Sequence, residues 1–157
     1  IVSTRESPAT RARVLELGVS QLSGGSRTSV GGYVEPERED DNSKQFDTSD
    51  TRTLDEVVNW LLSLGYIPSF CTACYREGRT GDRFMSLAKS GHIASVCQPN
   101  ALMTLKEYLE DYAAPDTKDK GEAVIAAEVQ RIPNEKVRAI AISHLGELTE
   151  GKRDFRF

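Results

Sequence analysis

Residues 69–113 read SFCTACYREGRTGDRFMSLAKSGHIASVCQPNALMTLKEYLEDYA and hold both a strong helical pattern and all three cysteines of the chain. Leu102, Leu105, Leu109 and Tyr112 recur at helical intervals, which predicts a helix over Ala101–Ala113. Asp82 to Lys89 predicts a shorter helix, closed by Gly91. Cys71, Cys74 and Cys97 follow the spacing Cys-x2-Cys-x22-Cys. A tight turn brings two thiolates at this short spacing to the same side of one metal centre, and a third cysteine completes a three-point attachment. Three protein ligands are one short of a tetrahedral zinc site or a four-cysteine cluster, so another donor must fill one position. His92, between the second and third cysteines, could close a structural Cys3His zinc module that mediates protein interaction. Thiols with no metal at all are the remaining reading.

Outward from this stretch, the downstream chain predicts helices near Glu122–Arg131 and Asn134–Leu148, and the closing KRDFRF predicts a docked tail. Upstream, Thr53 and Glu56 have capping-box spacing. Val57, Val58, Leu61 and Leu62 then share one helical face up to Gly65, and Tyr66–Phe70 predicts a short edge strand or extended segment leading into Cys71. The stretch from Val34 to Asp50, VEPEREDDNSKQFDTSD, sets seven acids against two bases with almost nothing apolar and reads as a solvated linker. Before it, Ile1–Val2 and Val19–Ser23 read as strand fragments around a helix opened by Pro8 and stopped at Gly18, with a glycine-rich loop from Gly24 to Gly32. The fold expected is therefore an α/β remnant, the last strands of a TIM-type barrel, over residues 1–34. An acidic linker over 35–52 and a mainly α-helical C-terminal domain over 53–157 follow, the latter an iron–sulfur domain on the resemblance described below.

Composition narrows the function. With 38% hydrophobic and 28% charged residues the chain reads as a soluble domain, and no apolar run approaches the roughly 20 residues of a membrane span. A net charge of −4 gives no general reason to bind nucleic acid. The opening residues show neither a charged leader nor an apolar signal core, so the chain is expected to be a cytoplasmic piece of a longer protein. An odd number of cysteines with a Cys-x-x-Cys pair fits metal or redox chemistry in a reducing compartment.

The segment from Ser69 to Ala113 resembles the auxiliary-cluster region of the radical S-adenosylmethionine tyrosine lyases that mature [FeFe]-hydrogenases. The likeness takes in the three cysteines, the glycine turn around Arg79–Asp82, and CQPNAL from Cys97 to Leu102. STRES at Ser3–Ser7 and LSGGSRTSVGGY at Leu22–Tyr33 resemble the last strands and loops of the barrel in the same enzymes. The resemblance implies that L-tyrosine is cleaved to p-cresol and dehydroglycine, and that dehydroglycine yields carbon monoxide and cyanide for the hydrogenase H-cluster. It implies an auxiliary [4Fe-4S] cluster on Cys71, Cys74 and Cys97, with an additional iron attached through a free cysteine. S-adenosyl-L-methionine, a second [4Fe-4S] cluster and other hydrogenase maturation proteins as partners are implied for the full-length enzyme.

Further roles follow from matching motifs. Arg5 matches the arginine that takes the amino-acid carboxylate in related lyases, for which a planar guanidinium is suited, although a salt bridge at the barrel rim would also use it. Ser23 and Ser26 fall where small polar residues line the substrate pocket, or else simply form turns. Arg76, Arg79 and Arg83 could stabilise an anionic cluster or its products, with a solvated basic face as the plainer use. Neither His92 nor His144 inherits the histidine ligand of the additional iron. The Cys-x3-Cys-x2-Cys motif of the cluster that reduces S-adenosylmethionine is absent. This chain alone is therefore expected to be unable to start the radical reaction.

Overall fold

The computed structural model describes residues 1–34, 44–92 and 94–157, so most of the acidic stretch lies outside the described residues. Seven helices are present among them: α1 (Pro8–Glu16), α2 (Leu54–Ser63), α3 (Ala73–Arg76), α4 (Gly81–Ser90), α5 (Ala94–Asp111), α6 (Pro115–Val129) and α7 (Glu135–Thr149). The chain divides into two compact units, Ile1–Val57 and Val58–Phe157.

The expected α/β remnant with the last strands of a barrel is not found: every regular element among the described residues is a helix. Where strands were expected, Val2 and Leu22 make one isolated parallel bridge. The Val2 N–H donates to the Gln21 carbonyl at 2.9 Å and the Ser23 N–H to the Val2 carbonyl at 3.0 Å. One bridged pair has no third strand to extend it, so the β-prone residues stay as isolated extended chain. Tyr66–Phe70 likewise forms no strand.

The first unit is organised around a buried cation. Ser7 caps α1 by accepting the Thr10 N–H at 3.2 Å, with Pro8 opening the helix. From α1, Arg11 is fully buried and pairs with the carboxylate of Asp50 while also donating to the Ser23 carbonyl. Arg52 grips the same carboxylate through Nε at 2.8 Å and Nη2 at 2.6 Å. The Thr4 carbonyl accepts the N–H groups of Ser49 and Asp50, each at 3.0 Å. Asp50 thus differs from the solvated acids expected around it, because it supplies the charge that lets Arg11 be buried.

In the second unit α5 is the central element. Leu102, Met103, Leu105 and Leu109 are shielded from solvent and pack with Ile125 and Val129 of α6, Ala141, Leu145 and Leu148 of α7, and Val58 and Leu62. The capping box before α2 forms as expected, with the Thr53 N–H on Glu56 Oε2 at 2.7 Å and the Glu56 N–H on Thr53 Oγ1 at 3.2 Å. Asn134 caps α7, its Oδ1 accepting from the N–H groups of Lys136 at 3.0 Å and Val137 at 3.2 Å. Gly91 closes α4 with φ of 77°, a conformation that glycine adopts at no steric cost.

Two helices begin earlier than their apolar patterns indicate. α5 starts at Ala94 and runs through Pro99, whereas the pattern set its start after the proline. Pro99 is buried in the core, where packing outweighs the one backbone bond that a proline removes. α6 starts at Pro115, ahead of a polar turn and Gly121 that conceal its amphipathic face. Gly121 is itself a packing residue, since a Cβ there would lie 2.4 Å from Leu109 Cδ1.

Candidate metal centre

Cys71 sits just before α3, Cys74 lies within it, and Cys97 occupies the first turn of α5. α3 is only four residues long and makes no side-chain cap bond. Its first N–H, from Ala73, points at Cys71 Sγ at 3.4 Å. The Arg79 N–H closes the following turn on the Cys74 carbonyl at 2.8 Å. Cys71 and Cys74 are half-buried and Cys97 is exposed as a residue.

Burial of its sulfur pushes Cys97 above the usual thiol range, Cys74 and Cys71 push it further, and the Arg79 cation opposes them. Even so, no group of three Cys, His, Asp or Glu side chains among the described residues is placed to hold a single metal ion. The donor set of three thiols fits an iron–sulfur cluster, in which each thiolate takes its own iron. His92 is exposed.

The expected arginines differ in use. Arg76 makes a two-pronged pair with Asp154, with Nη2 at 2.8 Å from Oδ2. Arg79 donates through Nη2 to the Phe157 carbonyl at 2.6 Å, and its buried Nε has no hydrogen-bond partner. Arg83 reaches only the Glu77 carbonyl, at 3.5 Å. His144 is a packing residue, stacked on Phe155 with ring centres 4.2 Å apart. The tail does dock: Asp154, Phe155 and Arg156 join Cys71, Arg76 and Asn100 around a pocket beside the first cysteine. Asn100, only 2% exposed, is a site residue that the sequence reading did not single out. Its only sequence signal is its place in CQPNAL.

In the first unit, the Arg5 guanidinium lies 4.2 Å from the centre of the Phe46 ring, a cation–π contact rather than a salt bridge. Ser23 gives its backbone to Val2 and Arg11, and Ser26 is half-buried in the glycine loop.

Residues 1–67 match the Biotin and Thiamin Synthesis associated domain. Among solved structures, one aligns with 99% of this chain at 47% identity and a TM-score of 0.91. That protein is HydG. It is described as a maturase of the [FeFe]-hydrogenase, and the likeness expected from the cysteine region and the STRES segment holds over nearly the whole chain. The chain spans 33% of the length of HydG. No curated protein matches the chain. Among the described residues, no helix is long and apolar enough to cross a membrane.

Proposed function

We propose that this chain is the auxiliary-cluster portion of a radical S-adenosylmethionine tyrosine lyase that makes carbon monoxide and cyanide for the [FeFe]-hydrogenase H-cluster. The supporting observation is the set of three thiols, Cys71, Cys74 and Cys97, in a chain 47% identical to HydG. In this reading the three thiolates hold a [4Fe-4S] cluster and leave one iron without a protein ligand. When bound, that group supplies an open iron at which an additional iron, a free cysteine and the small ligands released from L-tyrosine can be assembled.

The chain's own residues prepare the site. The Ala73 N–H donates to Cys71 Sγ, and Arg79 adds positive charge beside Cys97. The α5 packing anchors Cys97 at the start of a helix whose next turns are held in the core. Arg5 is assigned the tyrosine carboxylate, held ready on the Phe46 ring, with Ser23 and Ser26 lining the same pocket. Arg76 and Arg83 act on the anionic cluster or its products through charge. S-adenosyl-L-methionine and its own cluster belong to the remainder of a HydG-length protein, so this chain alone is inactive. The setting is cytoplasmic, and the partners are other hydrogenase maturation proteins.

Iron, acid-labile sulfide and zinc measured on anaerobically purified protein test the reading. Iron with matching sulfide that collapses in Cys97→Ser is the expected result. Zinc without sulfide would overturn it.

A further inference from the structure

Beyond α7 the chain runs back across the cysteine region, and each residue from Arg153 to Phe157 is engaged there. Arg153 pairs with Asp111 on α5, with Nε at 3.0 Å and Nη2 at 2.5 Å from its carboxylate oxygens. The Asp154 N–H donates to Glu107 Oε1 at 2.7 Å while its carboxylate takes Arg76. Phe155 stacks on His144, and Arg156 Nε reaches Glu77 Oε1 at 2.7 Å. The Phe157 peptide closes the series. Its N–H donates to Asn100 Oδ1 at 2.9 Å, and its carbonyl accepts from Asn100 Nδ2 at 3.4 Å and Arg79 Nη2 at 2.6 Å.

Apart from the Phe155–His144 stack on α7, these contacts fall on two carriers of the cysteines. Arg76, Glu77 and Arg79 follow Cys74 on the short α3 and its turn, while Asn100, Glu107 and Asp111 follow Cys97 on α5. α3 is too short and too poorly capped to fix its own position, whereas α5 is locked in the core. The tail is tied to both. Asp154 has φ of 70°, the one non-glycine residue with positive φ among the described residues. Such a conformation persists where surrounding contacts over-determine it, as the Arg76 and Glu107 contacts do here.

We propose that Arg153–Phe157 is a strap that sets the Cys71–Cys74 pair against Cys97, with Arg79 and Asn100 as positioning residues that meet on the Phe157 peptide. The strap rests on the cluster reading for its purpose, because a cluster held by three thiolates needs their spacing fixed before it binds. The exposed Arg76–Asp154 and Arg156–Glu77 pairs add little each. The bonds around buried Asn100 carry more of the restraint.

The test uses the full protein in metal-free and iron-and-sulfide-reconstituted forms, in two variants, Arg79→Gln and Asn100→Ala. In the metal-free form, a short bifunctional alkylating reagent reports how fast Cys74 and Cys97 are bridged, and a monofunctional one reports each thiol's own reactivity. In the reconstituted form, a chelator reports the rate of iron loss. Each variant is expected to slow bridging and to speed iron loss by about tenfold, the loss of one or two hydrogen bonds. Helical circular dichroism should stay at wild-type values, and so should single-thiol alkylation in Asn100→Ala; in Arg79→Gln, which removes the cation beside Cys97, bridging should slow further than Cys97's own alkylation does. Arg79 is half-exposed, so Arg79→Gln decides the matter if Asn100→Ala fails to fold. Bridging in folded Arg79→Gln protein that slows no further than Cys97's own alkylation overturns the strap. Slowed bridging in protein that takes up no iron and sulfide at all sinks the cluster reading and leaves the strap standing.

Discussion

Replacing Gly121 by alanine in α6 should destabilise the second unit, although alanine is the better helix former. A Cβ at this position would lie 2.4 Å from Leu109 Cδ1, 2.6 Å from Cδ2 and 3.0 Å from Cγ. Leu109 is 1% exposed in the last turn of α5, and because its Cγ is also too close, rotating the end of the side chain does not clear the space. Overpacking of this kind costs about 3 kcal/mol, at the upper end of its usual span. The glycine-to-alanine gain in helix propensity returns about 1 kcal/mol. The net loss of about 2 kcal/mol lowers the melting midpoint of a unit of this size by about 10 °C. Thermal denaturation followed by circular dichroism measures it, and a Leu109→Ala background should recover about 2 kcal/mol of the penalty as coupling. A Gly121→Ala midpoint at or above wild type, or a penalty that persists unchanged in the Leu109→Ala background, would refute the close approach of α5 and α6. The consequence reaches the thiols, since α5 carries Cys97.

The first unit should lose stability in acid through Asp50. The Arg52 side-chain hydrogen bond, opposed by burial and aided by the Arg52 N–H and the Arg11 charge, holds its carboxyl down to about 2. The folded state binds this proton more weakly than the unfolded one, so the contribution is fully present above about pH 4 and disappears as pH falls toward 2, a loss of about 2 kcal/mol. Denaturant titrations across that range should show it, and an Asp50→Asn variant whose acid dependence matches wild type would contradict it. Asn134→Ala removes the α7 cap bonds to Lys136 and Val137 and should cost about 1 kcal/mol in the same assay, with no change at all as the contrary result.

Several features of the candidate site could be read directly from the chain. The Cys-x2-Cys-x22-Cys spacing, the Thr53–Glu56 capping box and the docked KRDFRF tail depend on local chemistry, and local chemistry is written in adjacent residues. The apolar repeat from Leu102 to Leu109 likewise announces its helix, because burial on one face demands a helical period. The resemblance to HydG was legible for the same reason, as the residues that carry it lie in short contiguous motifs.

The strands expected in residues 1–34 failed because β-prone residues become a strand only with neighbours to pair with, and here Val2 and Leu22 find just one another. The early starts of α5 and α6 were hidden because Pro99 and Gly121 are poor helix residues by local preference, and only the packing around them accounts for their places. Asp50 looked like one more solvated acid until the fold placed Arg11 beside it. Asn100 shows no distinguishing pattern, since its partners on Phe157 lie far along the chain. The amino-acid sequence by itself determined which side chains could hold a metal and which faces must be buried. The tertiary structure decided which distant groups meet, because contacts between residues far apart in the chain are selected by packing and hydrogen-bond geometry rather than by local preference.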